Sequence, residues 1–178
     1  MVRRRIPAAP PDPPIREGTP ADIPFVRELS RQAFDQFGDY GEFLPSYLEH
    51  PSVFTVIALH QGRPVGFLML ALVASSRVMP WEEQVPEAEV LDAEVLAIAV
   101  LEEFHGQGHG TRLLQHAVTS AQSWHQVVGV RSVQLNVAHT NHPALTFFRK
   151  MGFIEVDPED GVYPRGQRSI RMARPVTQ

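Results

Sequence analysis

The 178-residue sequence predicts one mixed α/β domain, a mostly antiparallel sheet with flanking helices. Three observations predict it. Strand-like and helix-like runs follow in the order β, α, α, β, β, then β, α, β, α, then β, β, with no internal repeat. No second linker interrupts residues 15–178, a length ordinary for a single domain. A glycine-rich run at residues 104–111 sits where an apolar strand passes into a long amphipathic helix.

Residues 1–14 carry Arg3, Arg4 and Arg5 and then mostly proline and alanine. The arginines lead into no apolar stretch, so neither a signal peptide nor a membrane span is predicted. So little of this segment could be buried that it is expected to be a disordered tail. A short strand is expected from Ile15. Thr19-Pro20-Ala21-Asp22 then reads as a helix start: a capping hydroxyl, proline in the first turn and an acid at the third position. Phe25, Val26, Leu29, Ala33 and Phe34 keep helical spacing behind it, and residues 38–41 break the pattern with two glycines. A shorter helical piece covers residues 43–48. Residues 53–59 and 65–73 are β-branched and apolar runs about a Gln61-Gly62-Arg63 turn, the second apolar enough to be buried on both faces. Residues 75–88 form an acidic, proline-stiffened loop. The next strand, residues 93–101, is apolar except for Glu94. From Gly110, the residues Leu113, Leu114, Ala117, Val118, Ala121, Trp124 and Val128 mark one face of a long helix. Residues 132–137 are a strand. Pro143 opens a helix that Gly152 closes, and residues 153–156 and 169–173 form a final strand pair.

Composition excludes several function classes. A formal net charge of −4 argues against a broad basic surface for nucleic acid. The absence of cysteine removes disulfides, thiolate metal sites and a cysteine nucleophile, and fits a cytoplasmic setting. Eight histidines are present, among them the pairs His105 with His109 and His139 with His142, but the first pair flanks glycines and lacks acidic or thiolate partners, so no metal is expected. Neither nucleic acid nor membrane is an expected partner, and the sequence leaves monomer and homodimer equally open.

The run Phe104-His105-Gly106-Gln107-Gly108-His109-Gly110-Thr111 joins a strand to a helix N-terminus, whose backbone N–H groups lack intrahelical partners. Glycines at alternate positions remove the Cβ atoms that would block a phosphate from those amides. The ordinary alternative is a connecting turn that binds nothing. A dinucleotide fingerprint fails because Thr111 stands where its third glycine belongs, and a P-loop fails because no Gly-Lys-Ser/Thr follows. His105-Gly106-Gln107-Gly108-His109-Gly110 resembles the central signature of the GCN5-related N-acetyltransferases, Arg/Gln-x-x-Gly-x-Gly/Ala. The spaced block Asn141, Ala144, Phe147, Phe148, Gly152 and Phe153 resembles the family's second signature. The resemblance covers roughly residues 15–174.

The resemblance implies an acyl-CoA N-acyltransferase fold in which two parallel strands splay apart. Main-chain groups of Ile98, Ala99 and Val100 would hold the pantetheine arm of acetyl-CoA. The turn from His105 through Gly106, Gln107, Gly108, His109 and Gly110 to Thr111 would hold its pyrophosphate, with Asn141 and Phe148 as further contacts. His105 departs from the family's Arg or Gln, which weakens a charge-assisted contact and leaves the backbone cradle. Phe148 stands where many members carry a proton-donating tyrosine.

Acyl transfer from a thioester needs a neutral amine, hence a base. Glu94 matches the base position of some members, and a lone acid in an apolar strand would have its charged form disfavoured. Asp92 is the reserve, and a solvated strand end is the competing reading for both. Tyr163, in the last hairpin loop, is the nearest candidate to protonate the departing thiolate, although CoA's thiol is acidic enough to leave unaided. Asn141 is also good capping sequence. The acidic loop of residues 75–88 could overhang the acceptor and favour a cation. The expected activity is transfer of acetyl from acetyl-CoA to a primary amine of a small molecule or peptide in a ternary complex. A non-catalytic acyl-CoA sensor is the alternative.

Overall fold

The computed structural model describes residues 14–83 and 89–176. Among these residues, seven strands form one sheet: β1 Ile15–Glu17, β2 Val53–His60, β3 Arg63–Ser75, β4 Val90–Val100, β5 Ser132–Ala138, β6 Ile154–Asp157 and β7 Ser169–Pro175, in the order β1-β2-β3-β4-β5-β7-β6. All neighbours run antiparallel except β4 and β5. Among the described residues, four α-helices cover the two faces: α1 Ile23–Phe34, α2 Tyr40–Phe43, α3 His109–Val128 and α4 His142–Lys150. The expected tail lies outside the described residues as far as residue 13. Pro14, expected in that tail, belongs to the fold, since its carbonyl accepts the Leu59 N–H at 2.9 Å.

Strand alternation builds a core on each face. Along β3, Leu68 and Leu70 join α3 and α4 through Leu113, Leu114, Leu145 and Phe148. Phe67 and Met69 point the other way, to Val26 and Leu29 of α1. β4 breaks this rule in a way that makes the site. Ala93 and Val95 pack on the α3 face, yet Ala97 and Ala99, also odd-numbered, pack on the α1 face. One extra residue explains the change: Met69 pairs with Ala97 while Leu70 pairs with Val95, which leaves Leu96 as a bulge. A bulge flips the parity and bends its strand. The parallel pairing of β4 with β5 ends at the same point, covering only Ala93, Glu94 and Val95. Beyond Val95 the two strands diverge.

Several boundaries differ from the sequence reading. β4 begins at Val90, three residues ahead of the expected strand, and α3 begins at His109 rather than Gly110. The strand also does not pass directly into that helix, because a 3-10 turn, Glu102–Phe104, stands between them. Thr19 caps a 3-10 turn, Pro20–Asp22, that leads into α1; its N–H donates to Asp22 Oδ2 at 2.9 Å. Among the described residues, no helix is long and apolar enough to cross a membrane.

Candidate active site

The divergence of β4 and β5 opens a cavity of about 410 Å³. Glu94, Leu96 and Ile98 of β4 line one wall and Leu135, Asn136 and Val137 of β5 the other. Phe34, Phe37 and Tyr40 close it on the α1 side, Asn141 ahead of α4 and Phe148 within it on the other, and Asp160 and Tyr163 of the β6–β7 loop complete it. Four residues singled out in the sequence for three different roles, Glu94, Tyr163, Asn141 and Phe148, therefore share one cavity with Ile98.

Glu94 is not the lone charge expected of it. Arg171, on β7, reaches Glu94 Oε1 with a guanidinium nitrogen at 3.6 Å, an ion-pair distance outside hydrogen-bond range. Arg171 is itself fixed by Asp160 Oδ2 at 2.7 Å and by Gln134 Oε1 at 3.0 Å. Asp160 also accepts from Arg77 at 2.6 Å and from Asn136 at 3.2 Å, and Arg77 binds Asp157 at 2.8 Å. Burial pulls the Asp160 carboxyl upward, but the hydrogen bond and charge of Arg171, with Asn136 and Arg77, outweigh it and hold it below the usual carboxylate range. None of this chain beyond Glu94 was found by sequence reasoning. The only signal was an arginine flanked by Ile170 and Met172 in an alternating strand.

Asp92, the reserve base, does not line the cavity and has another task. It is fully buried and accepts from Arg131 at 2.6 and 3.2 Å and from Ser132 Oγ at 2.7 Å. Glu82 binds the same guanidinium at 2.9 Å. This cluster locks the ends of β4 and β5 where they still pair. It also turns Glu82, part of the acidic loop, away from the cavity; no residue of 75–83 lines the cavity, and residues 84–88 lie outside the described residues.

Tyr163 is half-buried rather than a surface loop residue, its ring 5.4 Å from Phe37 and 6.4 Å from Tyr40. Burial, reinforced by Tyr40, pushes its hydroxyl up to about 12, so it keeps its proton at neutral pH. Its loop is tied to the segment after α1. The Arg165 N–H donates to the Phe37 carbonyl at 3.2 Å, Gln167 Nε2 donates to the Gln36 carbonyl at 2.7 Å, and Arg165 pairs with Asp35 and Asp39.

At the far end of the gap stands the glycine turn. Leu101 N–H bonds Val65 of β3, so by antiparallel alternation the N–H and C=O groups of Ile98 and Val100 point away from β3, into the gap. The Val100 carbonyl is taken by His105 Nε2 at 2.7 Å, which leaves the N–H of Val100 and both groups of Ile98 on that edge. Ala99 turns its main-chain groups to β3. Gly106 and Gly108 both have positive φ, 73° and 87°, and Gly108 is the N-cap of α3. Gly110 needs no such freedom. A Cβ there would make only ordinary contacts, with Phe147 Cζ at 3.7 Å and Val100 Cγ2 at 3.9 Å, so the protein itself leaves room for a side chain. The first turn of α3, His109, Gly110 and Thr111, presents N–H groups without intrahelical acceptors. The turn thus fits a pyrophosphate on its main chain. Its side chains turn elsewhere: Gln107 Nε2 donates to the Glu103 carbonyl at 3.1 Å, and the His109 ring is buried between His60 and Phe104. Burial, then the neighbouring His60, lowers the His109 ring below its ordinary 6.5.

Asn141 caps α4 by accepting the Ala144 N–H at 3.3 Å, while Phe148, buried against Phe147 and Phe153, supplies an apolar wall. Among the described residues, no group of three or more histidines and carboxylates could hold a metal ion.

Known proteins share this architecture. The model of the acetyltransferase (GNAT) family matches residues 23–153. Proteins named N-alpha-acetyltransferase from Sulfurisphaera tokodaii and Sulfolobus acidocaldarius are each 29% identical over 162 residues, 91% of this chain and 92% of theirs. Arabidopsis thaliana NAA60 in complex with a bisubstrate analogue superposes with a TM-score of 0.76 at 18% identity, covering 92% of this chain and 99% of that one. The same protein in complex with acetyl-CoA gives 0.75 at 17% identity, covering 92% and 98%. The splayed strands, the glycine turn and these matches lead to one conclusion: the chain belongs to the acetyltransferase (GNAT) family and is an acetyl-CoA-dependent N-acetyltransferase.

Proposed function

We propose that the acceptor is the free α-amine at the N-terminus of a peptide or protein, and that transfer is direct within a ternary complex. The names of the archaeal relatives support the acceptor. The observation that carries the mechanism is the single cavity between β4 and β5, with Glu94 and Tyr163 on its walls and an open main-chain edge leading to the glycine turn. Acetyl-CoA, when bound, supplies the activated acetyl group. Ile98 and Val100 would pair with its pantetheine arm, Ala99 would space them, and the main chain of residues 105–111 would cradle its pyrophosphate. Glu94 would take a proton from the acceptor ammonium, and the Val100 N–H would polarise the carbonyl under attack. Tyr163 would return a proton to the departing sulfur. Holding both reactants in one cavity supplies the proximity that the reaction needs. We place the reaction in the cytoplasm, on the support of a cysteine-free sequence.

The test is a set of synthetic peptides with free or formyl-blocked N-termini, each with one internal lysine, incubated with acetyl-CoA and read by fragment mass spectrometry. Acetyl on the free α-amine is expected. Acetyl on lysine of the blocked peptides, at an equal or higher rate, would overturn the acceptor assignment.

A further inference from the structure

Glu94 sits at one end of a line of alternating charges that crosses the sheet: Asp157, Arg77, Asp160, Arg171, Glu94. Every link but the last is a hydrogen bond of 2.6 to 2.8 Å; the last, Arg171 to Glu94, is 3.6 Å. Arg171 has two of its nitrogens committed, Nε to Asp160 and Nη1 to Gln134, and only Nη2 faces Glu94. Its fork is therefore held at a fixed stand-off. From there it acts on Glu94 through space without occupying a carboxylate lone pair. The Glu94 carboxylate keeps its acceptor sites for an incoming ammonium, and side-chain exposures of 15% for Arg171 and 22% for Glu94 keep solvent screening low.

We propose that Arg171 is a positioning residue for Glu94, and that Asp160 sets how much of the Arg171 charge Glu94 receives. The inference rests on the reading of Glu94 as proton acceptor. Asp160 draws Arg171 toward itself and away from Glu94, and Arg77 in turn restrains Asp160. Without Asp160, Arg171 would close on Glu94 and form a direct ion pair, which would make the carboxylate a weaker base and block it. Without Arg171, Glu94 and Asp160 would be left as two like charges in one cavity. Loss of either partner thus drives Glu94 in opposite directions.

The other groups facing Glu94 do not supply this control. Gln134, its register partner on β5, and Ala71, its partner on β3, are uncharged. Phe34 and Phe37 bring none from the α1 side, and Tyr40 and Tyr163 are both held protonated by burial. Asp92, two residues earlier on β4, is engaged with Arg131.

The experiment follows the Glu94 carboxyl directly, by ¹³C titration of the parent, Arg171→Gln and Asp160→Asn, with Glu94→Gln to identify the resonance. The midpoint should rise by about one pH unit in Arg171→Gln and fall by a similar amount in Asp160→Asn, as expected for a charge at this range. The acid limb of kcat/KM on a peptide with a free N-terminus should move the same way. Unmoved midpoints, or midpoints that move in the same direction, would overturn the proposal; a general loss of packing cannot produce opposite displacements. Arg171→Lys keeps the charge and should keep the parent midpoint with a lower kcat, so a rise equal to that of Arg171→Gln also overturns it. Full activity in Glu94→Gln would instead sink the proton-acceptor reading, and the titration would still report whether Arg171 and Asp160 control this carboxyl.

Discussion

Glu94 lies near a cation but accepts no hydrogen bond from it, and that separates a group free to take a proton from one locked into the scaffold, as Asp92 is. Glu94→Gln should lower kcat/KM by about 10²–10⁴, the usual contribution of a positioned acid or base, with acetyl-CoA affinity unchanged by calorimetry. Tyr163 differs, because CoA is already a good leaving group. Tyr163→Phe should lower kcat by only about tenfold, with the acid limb of the pH profile left in place. Both residues were legible as candidates from position alone, but their settings were not. An arginine 77 positions away from Glu94 along the chain, and a tyrosine folded against Phe37 and Tyr40, leave no mark in local spacing.

The elements separate residues that the fold requires from residues that it does not. Gly110 lies in the first turn of α3, where a Cβ would make only ordinary contacts with Phe147 and Val100, so nothing in the protein requires glycine there. Gly110→Ala should stabilise the protein by up to about 1 kcal/mol, seen as a higher melting temperature, while acetyl-CoA binds at least tenfold more weakly. The clamp of Arg131, Asp92 and Glu82 acts on the fold alone. Arg131→Met would strand a fully buried carboxylate and should cost about 3–5 kcal/mol in denaturant unfolding. The glycine turn and the order of elements could be read from sequence because glycine spacing and hydrophobic period are local. The Leu96 bulge could not. Alternation shows a parity flip only where polar residues mark one face, and residues 95–100 are apolar throughout.

For the whole molecule, acid should act in two stages. Burial holds His109 and His116 below 6.5, so the unfolded chain takes up these protons at higher pH than the folded one. Their contribution is complete above 6.5 and is lost as pH falls below it. Asp22, held down by Arg16, and Asp160 both lie below 3.8, and their contribution is lost only as pH falls further, below that value. Denaturant midpoints between pH 8 and pH 3 should show both declines, and His109→Leu should shrink the first alone. The overall architecture was legible because two cores on one sheet follow from pattern. The charge line across β4, β5 and β7 was not, since strand order joins segments that the chain keeps far apart. The ties between the β6–β7 loop and the segment after α1 have a consequence for shape. Arg165 and Gln167 tie that loop to Phe37 and Gln36, beside the cavity wall of Phe37, Tyr40 and Tyr163. Two segments pinned to each other cannot part independently, so this wall of the cavity should keep one shape whether or not an acceptor lies against it.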